Sequence, residues 1–201
     1  MKSYPSIPKD FQEIPGAYIF DKLDGSNLRF EWTRKNGFFK YGTRHRLLDE
    51  TDQVFGGAIQ IWQNNWAQPL TDIFRTMRLD KATAFAEFYG PSSFAGNHVA
   101  EEPKTLTLFD VCVHPRGFLD PRDFLKFFGH LDIAKFLGTF NWTSGFIEEV
   151  YMNKIPGVTF EGVVGKHGGF TKAIRAKAKT SQWIEKIRNT YPQDAEQLIN
   201  S

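Results

Sequence analysis

Segments of strand character and segments of helical character follow one another irregularly along this 201-residue chain, without the strand–helix–strand period of a parallel sheet. Alternating and β-branched runs predict strands at 17–22, 27–33, 38–43, 83–89, 105–113, 159–165 and 171–179. Helical spacing predicts helices at 57–79, with a break near Pro69, and at 122–128, 144–152 and 181–189. This order favours the α+β class, with antiparallel sheets flanked by helices.

The composition fits a single folded domain over residues 1–201. Hydrophobic residues make up 41% of the chain and Phe alone contributes 20 residues, which is enough for a sizeable core. No run of 18 apolar residues occurs, and the first residues lack the apolar stretch of a secretory signal. Cys112 is the single cysteine and cannot form an internal disulfide. We therefore expect a reducing, cytoplasmic setting and no membrane partner.

The basic residues are concentrated in two stretches, although the net charge is only +2. Residues 34–46 contain five Lys or Arg and no acid, and residues 166–188 contain seven against one acid. Such stretches fit either a local polyanion site or two solvated strand faces. Charge alone does not separate these two interpretations.

An Asp-Gly turn follows a lysine at the end of the first predicted strand, in the segment FDKLDGSN over residues 20–27. One interpretation is an ordinary β-hairpin, since Asp-Gly favours the tight turn between two antiparallel strands. The other is a nucleophilic lysine, Lys22, held at a strand end where a glycine turn brings backbone amides close to a phosphate. The segment by itself leaves both interpretations open.

Four further segments carry charged residues within apolar strands. AEFYG at 86–90 and EGVVGK at 161–166 each contain a carboxylate, and LFDV at 108–111 contains Phe-Asp. In RAKAK at 175–179 every second residue is basic, so these three cations share one face of a strand. Three cations on one face are costly unless an anion or water meets them, which indicates an anion site or a solvated surface.

Taken in order, these segments resemble the covalent nucleotidyltransferases, the superfamily of ATP-dependent RNA and DNA ligases and mRNA capping enzymes. KLDGSN is similar to motif I, AEFYG to motif III, LFDV to motif IIIa, EGVVGK to motif IV and KAK to motif V, all between residues 22 and 179. Asn27 stands where capping enzymes and DNA ligases usually carry Arg, which resembles the nick-sealing RNA ligase branch. The implied fold is a nucleotidyltransferase (adenylation) domain of ATP-grasp-like ligase type.

The resemblance also implies a reaction in three steps. Lys22 would attack the α-phosphate of ATP to give a lysyl-adenylate, and the AMP would pass to a 5′-phosphate end. A 3′-OH would then displace AMP and seal the strand. The expected partner is RNA, or alternatively DNA, that carries such ends.

The same resemblance assigns roles to the other site residues. Glu161 would hold Mg²⁺ or Mn²⁺, Glu87 would accept a ribose hydroxyl, and Phe109 would stack on adenine. The remaining nucleotide contacts would be Asp21, Asn27, Arg44, Lys177 and Lys179. We expect the neighbouring lysines and the metal ion to lower the pKa of Lys22 by like-charge repulsion, so that its amine can attack.

Few residues precede Lys22 or follow position 179. We therefore expect no OB-fold or helical domain after motif V and no NAD-reading domain before motif I. A partner protein or a dimer would then supply a second nucleic-acid face. Three alternatives stay open: a minimal ATP-dependent DNA ligase, a non-catalytic nucleotide- or end-binding module of the same fold, and, least favoured by Asn27, a capping guanylyltransferase.

Overall fold

The computed structural model describes residues 3–7, 11–91 and 101–200. Within these ranges the strands are β1 Ile14–Lys22, β2 Ser26–Thr33, β3 Gly37–Gly42, β4 Leu47–Leu48, β5 Lys81–Tyr89, β6 Thr105–Val113, β7 Gly117–Phe118, β8 Phe136–Trp142, β9 Gly162–His167 and β10 Ile174–Lys179. The helical elements are α1 Gly56–Ile61, a π-helical turn at Trp62–Trp66, α2 Ala67–Thr76, α3 Pro121–Phe128, α4 Ser144–Tyr151, α5 Ser181–Thr190 and α6 Ala195–Ile199.

The strands form two sheets whose neighbouring strands are antiparallel. One sheet has four strands in the order β10-β9-β1-β8, and the other has six in the order β4-β3-β2-β5-β6-β7. The expected α+β class with antiparallel sheets is confirmed. The hairpin interpretation of the Asp-Gly turn was wrong, because β1 and β2 each already have two neighbours, in different sheets. Residues 23–25 carry the chain from one sheet to the other.

The main core packs the six-stranded sheet against the helical segment 56–76 and α3. Phe30 of β2 stacks on Trp62 with ring centroids 3.7 Å apart, and the Trp32 indole donates to the Thr71 hydroxyl at 3.1 Å. A second cluster packs α4 against the four-stranded sheet. Each sheet therefore has its own apolar cluster, and Phe20 of β1 belongs to the main core as well, so the two sheets also share apolar contacts.

Most predicted elements are confirmed to within a few residues. The two-residue strands β4 and β7 were not predicted, and there are three larger differences. β8 was not predicted, because it is an edge strand of mostly exposed or half-buried residues with no regular alternation. The helix is not broken at Pro69, which lies in the first turn of α2, where a missing N–H costs little. The irregularity is instead the π-helical turn just before it. The predicted acidic tail contains the helix α6.

No helix in the described part of the chain is long and apolar enough to cross a membrane.

Candidate active site

A cavity of about 650 Å³ opens between the two sheets. It is lined by β1, β9 and β10 of the four-stranded sheet, by β2, β5 and β6 of the six-stranded sheet, and by residues from both ends of the described chain. Its volume lies in the usual range of small-molecule sites. Every residue that the motifs assigned to the nucleotide site lines this cavity: Asp21, Lys22, Asn27, Arg44, Glu87, Phe109, Glu161, Lys177 and Lys179.

Lys22 is the last residue of β1, and its side chain is 23% exposed. The turn that follows packs tightly on β5, since a Cβ on Gly25 would lie 2.5 Å from the carbonyl oxygen of Phe88. The Gly25 backbone acts to lower the pKa of the Glu87 carboxyl, so the turn and this carboxyl interact. The glycine of motif I therefore allows the turn beside Lys22 to contact the strand that carries Glu87.

Lys22 is ion-paired rather than surrounded by cations. Its Nζ lies 2.7 Å from Oε2 of Glu161, and the Nζ of Lys179 lies 3.6 Å from Oε1 of the same carboxylate. Burial acts to lower the pKa of Lys22, but nearby carboxylates outweigh it and raise that pKa. They belong to Glu161, Glu87 and Asp24. The expectation that neighbouring lysines lower this pKa was wrong, because the carboxylates lie closer.

Glu161 lies in a short irregular stretch immediately before β9. Its main-chain carbonyl accepts a hydrogen bond from the N–H of Thr180 at 3.0 Å. Gly162, the next residue, has a φ of +148°, and a Cβ there would lie 2.0 Å from the carbonyl oxygen of Ala178. Glycine at this position therefore allows β9 to approach β10 closely, which brings Glu161 and Lys179 together.

Glu87 lies opposite Asn27 in the pairing of β5 with β2. Burial raises the pKa of Glu87 to about 8, against the opposing effect of Lys22 and with further help from the charge of Glu161. At neutral pH the Glu87 carboxyl is therefore largely protonated and can donate a hydrogen bond as well as accept one. Such a group suits a neutral hydroxyl partner.

Two lysines of β10, Lys177 and Lys179, reach the cavity. The Lys179 ammonium lies 4.1 Å from the centroid of the Trp183 ring and donates to the carbonyl of Leu198 at 3.2 Å. Burial lowers the pKa of Lys179 to about 8, and the positive charge of Lys22 acts in the same direction. A bound anion would favour the charged form of Lys179, so this side of the cavity suits a phosphate.

Phe109 and Arg44 reach the cavity beside residues 3–7. The Phe109 ring meets Tyr4 edge to face, with centroids 5.1 Å apart. Arg44 lies in the exposed loop between β3 and β4 and donates to the Ser6 hydroxyl at 3.4 Å. The sequence did not predict that the N-terminal segment contributes to this wall, because an irregular lead-in has no periodic pattern.

Asp21 directs its carboxylate to the chain itself. Its Oδ1 accepts from the N–H of Thr159 at 2.9 Å, and its Oδ2 accepts from the Thr159 hydroxyl at 2.7 Å. The residue is 3% exposed. Burial raises the pKa of Asp21, and the two hydrogen bonds from Thr159 oppose that rise. Both carboxylate oxygens are thus engaged inside the protein.

A buried ion cluster beside the cavity was not predicted from the sequence. Oδ2 of Asp110 lies 3.1 Å from Nε of Arg175 and 3.3 Å from Nζ of Lys166. The same oxygen accepts a hydrogen bond from the Tyr4 hydroxyl at 3.1 Å. Because Asp110 belongs to β6 while the two cations belong to β10 and β9, the cluster ties the two sheets together. The Asp within LFDV was the one signal that could have located it.

The two basic stretches are only partly available to a polyanion. Six of their members form ion pairs within the chain: Lys166 and Arg175 with Asp110, Lys179 with Glu161, Arg188 with Glu196, Arg46 with Asp52, and Arg34 with Asp80. Lys166 and Arg175 are buried in their pairs with Asp110, with side chains 3% and 6% exposed, so these two cations do not face a polyanion on the surface.

The donor set fits a metal ion that is shared with a phosphate ligand. Within residues 3–7, 11–91 and 101–200, no group of three or more His, Cys, Asp or Glu side chains is arranged to hold a metal ion. Glu161 does line the cavity with a carboxylate whose side chain is 6% exposed. Mg²⁺ commonly binds through one or two carboxylates, waters and substrate phosphates. The residues therefore fit such an ion, and not a self-contained metal centre.

Protein-family models give no match to the sequence, and neither do the curated proteins. Solved structures do match it. Naegleria gruberi RNA ligase with PPi has a TM-score of 0.65 at 18% identity, over 87% of this chain and 52% of that chain. An archaeal ATP-dependent RNA ligase has a TM-score of 0.64 at 17% identity, over 96% of this chain and 53% of that chain. A mutant of the Naegleria ligase with AMP and Mn has a TM-score of 0.65 at 16% identity, over 87% and 52%.

These likenesses show that the chain shares the fold of about half of each of these solved RNA ligases. The resemblance found in the motifs is confirmed at the level of the fold. The chain spans about half the length of the solved structures that it matches.

Proposed function

We propose that the chain is an ATP-dependent RNA ligase, which joins 3′-OH and 5′-phosphate ends through a lysyl-AMP intermediate. The observation that carries this proposal is the ion pair of Lys22 with Glu161, 2.7 Å apart, at a cavity large enough for a nucleotide. The likeness in fold to an RNA ligase that was solved with AMP and Mn supports nucleotide binding by this fold.

In the first step the Lys22 amine attacks the α-phosphorus of ATP. A P–N bond forms, the bond from the α-phosphorus to the bridging oxygen breaks, and pyrophosphate leaves. The raised pKa of Lys22 means that the amine must first lose a proton, which its pairing with Glu161 opposes. A divalent ion held by Glu161 would neutralise negative charge on the phosphates and on this carboxylate. Lys22 reacts as a neutral amine: one proton passes to water before the attack, and a second passes to water as the P–N bond forms.

The other side chains of the cavity position the nucleotide and balance its charge. Lys177 and Lys179 neutralise the α-phosphate, because the phosphoryl-transfer transition state needs charge compensation more than covalent help. Glu87 binds a ribose hydroxyl, for which its raised pKa suits it. Phe109 supplies an aromatic surface for adenine. Asn27 and Arg44 complete the proposed contacts to AMP and to the nucleic-acid phosphate.

Two further transfers complete the reaction. An oxygen of the 5′-phosphate end attacks the α-phosphorus, the P–N bond breaks, and the leaving nitrogen takes a proton from water, so that Lys22 regains its amine. The 3′-OH then attacks the 5′-phosphorus of the adenylylated strand and gives its proton to water, and AMP leaves as the phosphodiester forms. The same cations that neutralise the α-phosphate, Lys177 and Lys179, serve in each of these transfers.

RNA is the proposed substrate, and we propose that the chain binds it weakly. Because Lys166 and Arg175 are buried in ion pairs with Asp110, these two cations of the basic stretches are not available to phosphates, so binding should be of low affinity and should depend weakly on salt. A nicked duplex would favour sealing, since its template holds both ends together. A partner protein or a second copy of the chain would supply a further nucleic-acid face.

A sealing assay on matched nicked duplexes tests this proposal. The protein is incubated with ATP, Mg²⁺ and a labelled nicked duplex, made either of RNA or of DNA with the same sequence. Faster sealing of the RNA nick is the expected result. Faster sealing of the DNA nick would identify a minimal DNA ligase, and nucleotide binding without sealing of either duplex would identify a non-catalytic binding module.

A further inference from the structure

We propose that Asp21 is a positioning residue, which acts through Thr159 to hold the segment 159–161 so that Glu161 faces Lys22. This inference rests on the proposed function, because Lys22 and Glu161 matter through the adenylylation reaction. It assigns the Asp21 side chain a task different from contact with the nucleotide base.

The contact between Asp21 and Thr159 is specific in its geometry. One carboxylate oxygen accepts from the Thr159 N–H at 2.9 Å, and the other accepts from the Thr159 hydroxyl at 2.7 Å. Asp21 is 3% exposed, whereas Thr159 is exposed. Hydrogen bonds to an ionised acceptor are stronger than those between neutral groups. The buried carboxylate therefore anchors an otherwise exposed segment of chain.

The segment 159–161 depends on such anchors, because it lies outside the strands. The ladder of β9 with β1 starts at Gly162, which pairs with Lys22. On the far side, Thr180 holds the segment by donating from its hydroxyl to the Phe160 carbonyl at 2.6 Å and from its N–H to the Glu161 carbonyl at 3.0 Å. Asp21 holds the near end, so Glu161 is fixed between two sets of hydrogen bonds.

Adjacent residues of β1 thus hold two positions of the same segment. Asp21 binds Thr159, and Lys22 binds Glu161 at 2.7 Å. Loss of the first contact frees the chain just ahead of Glu161 and lets its carboxylate move away from the amine. Small displacements of a group near the reacting atoms can cost large factors in rate.

An alternative role for Asp21 is to read the adenine base with its carboxylate. That role would use the lone pairs that the bonds to Thr159 leave over, and it predicts a changed preference between ATP and GTP when Asp21 is altered. The positioning role predicts a lower rate with an unchanged preference. The two roles are therefore separated by one comparison of nucleotides.

The test uses three variants of the full chain, Thr159→Val, Thr159→Ser and Asp21→Asn, with Thr139→Val as the control. Thr139 is an exposed threonine of β8 in the same sheet, so its replacement matches the change in side chain without touching Asp21. Single-turnover adenylylation gives the rate at saturating ATP and the concentration of ATP that gives half of it.

We expect Thr159→Val and Asp21→Asn to lower the saturating rate roughly tenfold, with little change in half-saturating ATP and no change in the ATP-to-GTP preference. Thr159→Ser keeps the hydroxyl and should restore nearly the whole rate, and Thr139→Val should behave as the unaltered chain. Combining Asp21→Asn with Thr159→Val should lower the rate no further than either change alone, since both remove one contact. Independent, multiplying effects, or an altered nucleotide preference, would overturn the inference.

Amide hydrogen exchange provides a readout that does not depend on activity. In the unaltered chain the Thr159 amide should be protected by its bond to Asp21, and Asp21→Asn should speed its exchange roughly tenfold while the β1 amides stay protected. Unchanged exchange at Thr159 would overturn the inference. A chain that forms no adenylate at all would refute the proposed function instead, and the exchange measurement would still decide whether Asp21 holds this segment.

Discussion

Replacement of Gly162 by Ala should destabilise the protein strongly, because two independent costs meet at this residue. Its φ of +148° lies where residues with a side chain are rarely found, and holding such a conformation costs about 1–3 kcal/mol. The added Cβ would lie 2.0 Å from the carbonyl oxygen of Ala178 and 2.8 Å from Cα of Lys179. Relief of that overlap requires β9 and β10 to move apart, which costs roughly 1–3 kcal/mol more.

Together these costs are about 2–6 kcal/mol, a large part of the 5–15 kcal/mol that stabilises a typical domain. Urea denaturation of Gly162→Ala, followed by fluorescence, measures the free energy of unfolding directly. The matched control is Gly57→Ala, because Gly57 lies in α1 without a positive φ, and a Cβ added there would have no atom within 4 Å. That substitution should be neutral or stabilise by about 0.5–1 kcal/mol.

The same displacement should lower adenylylation in whatever fraction of Gly162→Ala remains folded. Lys179 pairs directly with Gly162 across the two strands, and Glu161 immediately precedes it. A loss of stability below about 0.5 kcal/mol in Gly162→Ala would refute this reasoning, because neither the backbone conformation nor the close approach would then be required.

Four further substitutions test separate parts of the site. Glu161→Ala and Lys179→Ala should each lower the rate of sealing on the order of 10²-fold, as expected for loss of one preorganised charge, while circular dichroism shows an unchanged fold. Near-normal sealing by either variant would mean that motif IV or V is misassigned. Burial raises the pKa of Glu87 from 4.5 to about 8, so protonated Glu87 favours the folded state. Its contribution to the free energy of unfolding is fully present below pH 4.5 and is lost as the pH rises through about 8. Glu87→Gln should therefore flatten the fall in unfolding free energy between these pH values, and an unchanged slope would contradict the shift. Trp183→Phe removes the indole donor that bonds Asp24 at 3.1 Å and should cost about 1–3 kcal/mol in urea denaturation, whereas a neutral effect would show that this bond adds nothing.

The positions of the site residues along the strands could be predicted from local pattern. Lys22 at the end of a strand, the alternation of Lys177 and Lys179, and Glu161 beside a glycine are all properties of a few neighbouring residues. Strand alternation and turn chemistry act at this range. The motif order then indicated that these residues meet, and the cavity they line agrees with it.

Contacts between distant segments could not be predicted in the same way. The partition of β1 and β2 into different sheets depends on which strands pair, and a tight Asp-Gly turn is compatible with either arrangement. The pKa of Lys22 was misjudged because the spacing of lysines in a strand says nothing about carboxylates that arrive from β5 and from the start of β9. Asp110 was recognised as part of a motif, but the two cations that pair with it, Lys166 and Arg175, lie 56 and 65 positions later in the sequence.

Intact mass spectrometry after incubation with ATP and Mg²⁺ tests most directly whether Lys22 is the nucleophile. The unaltered protein should gain the mass of one AMP, and acid should remove it, as expected for a P–N bond. Lys22→Ala should gain nothing, whereas Lys126→Ala, which removes an exposed lysine of α3 away from the cavity, should gain AMP as the unaltered protein does. An AMP adduct that persists in Lys22→Ala, or no adduct on the unaltered protein, would contradict the assignment of Lys22.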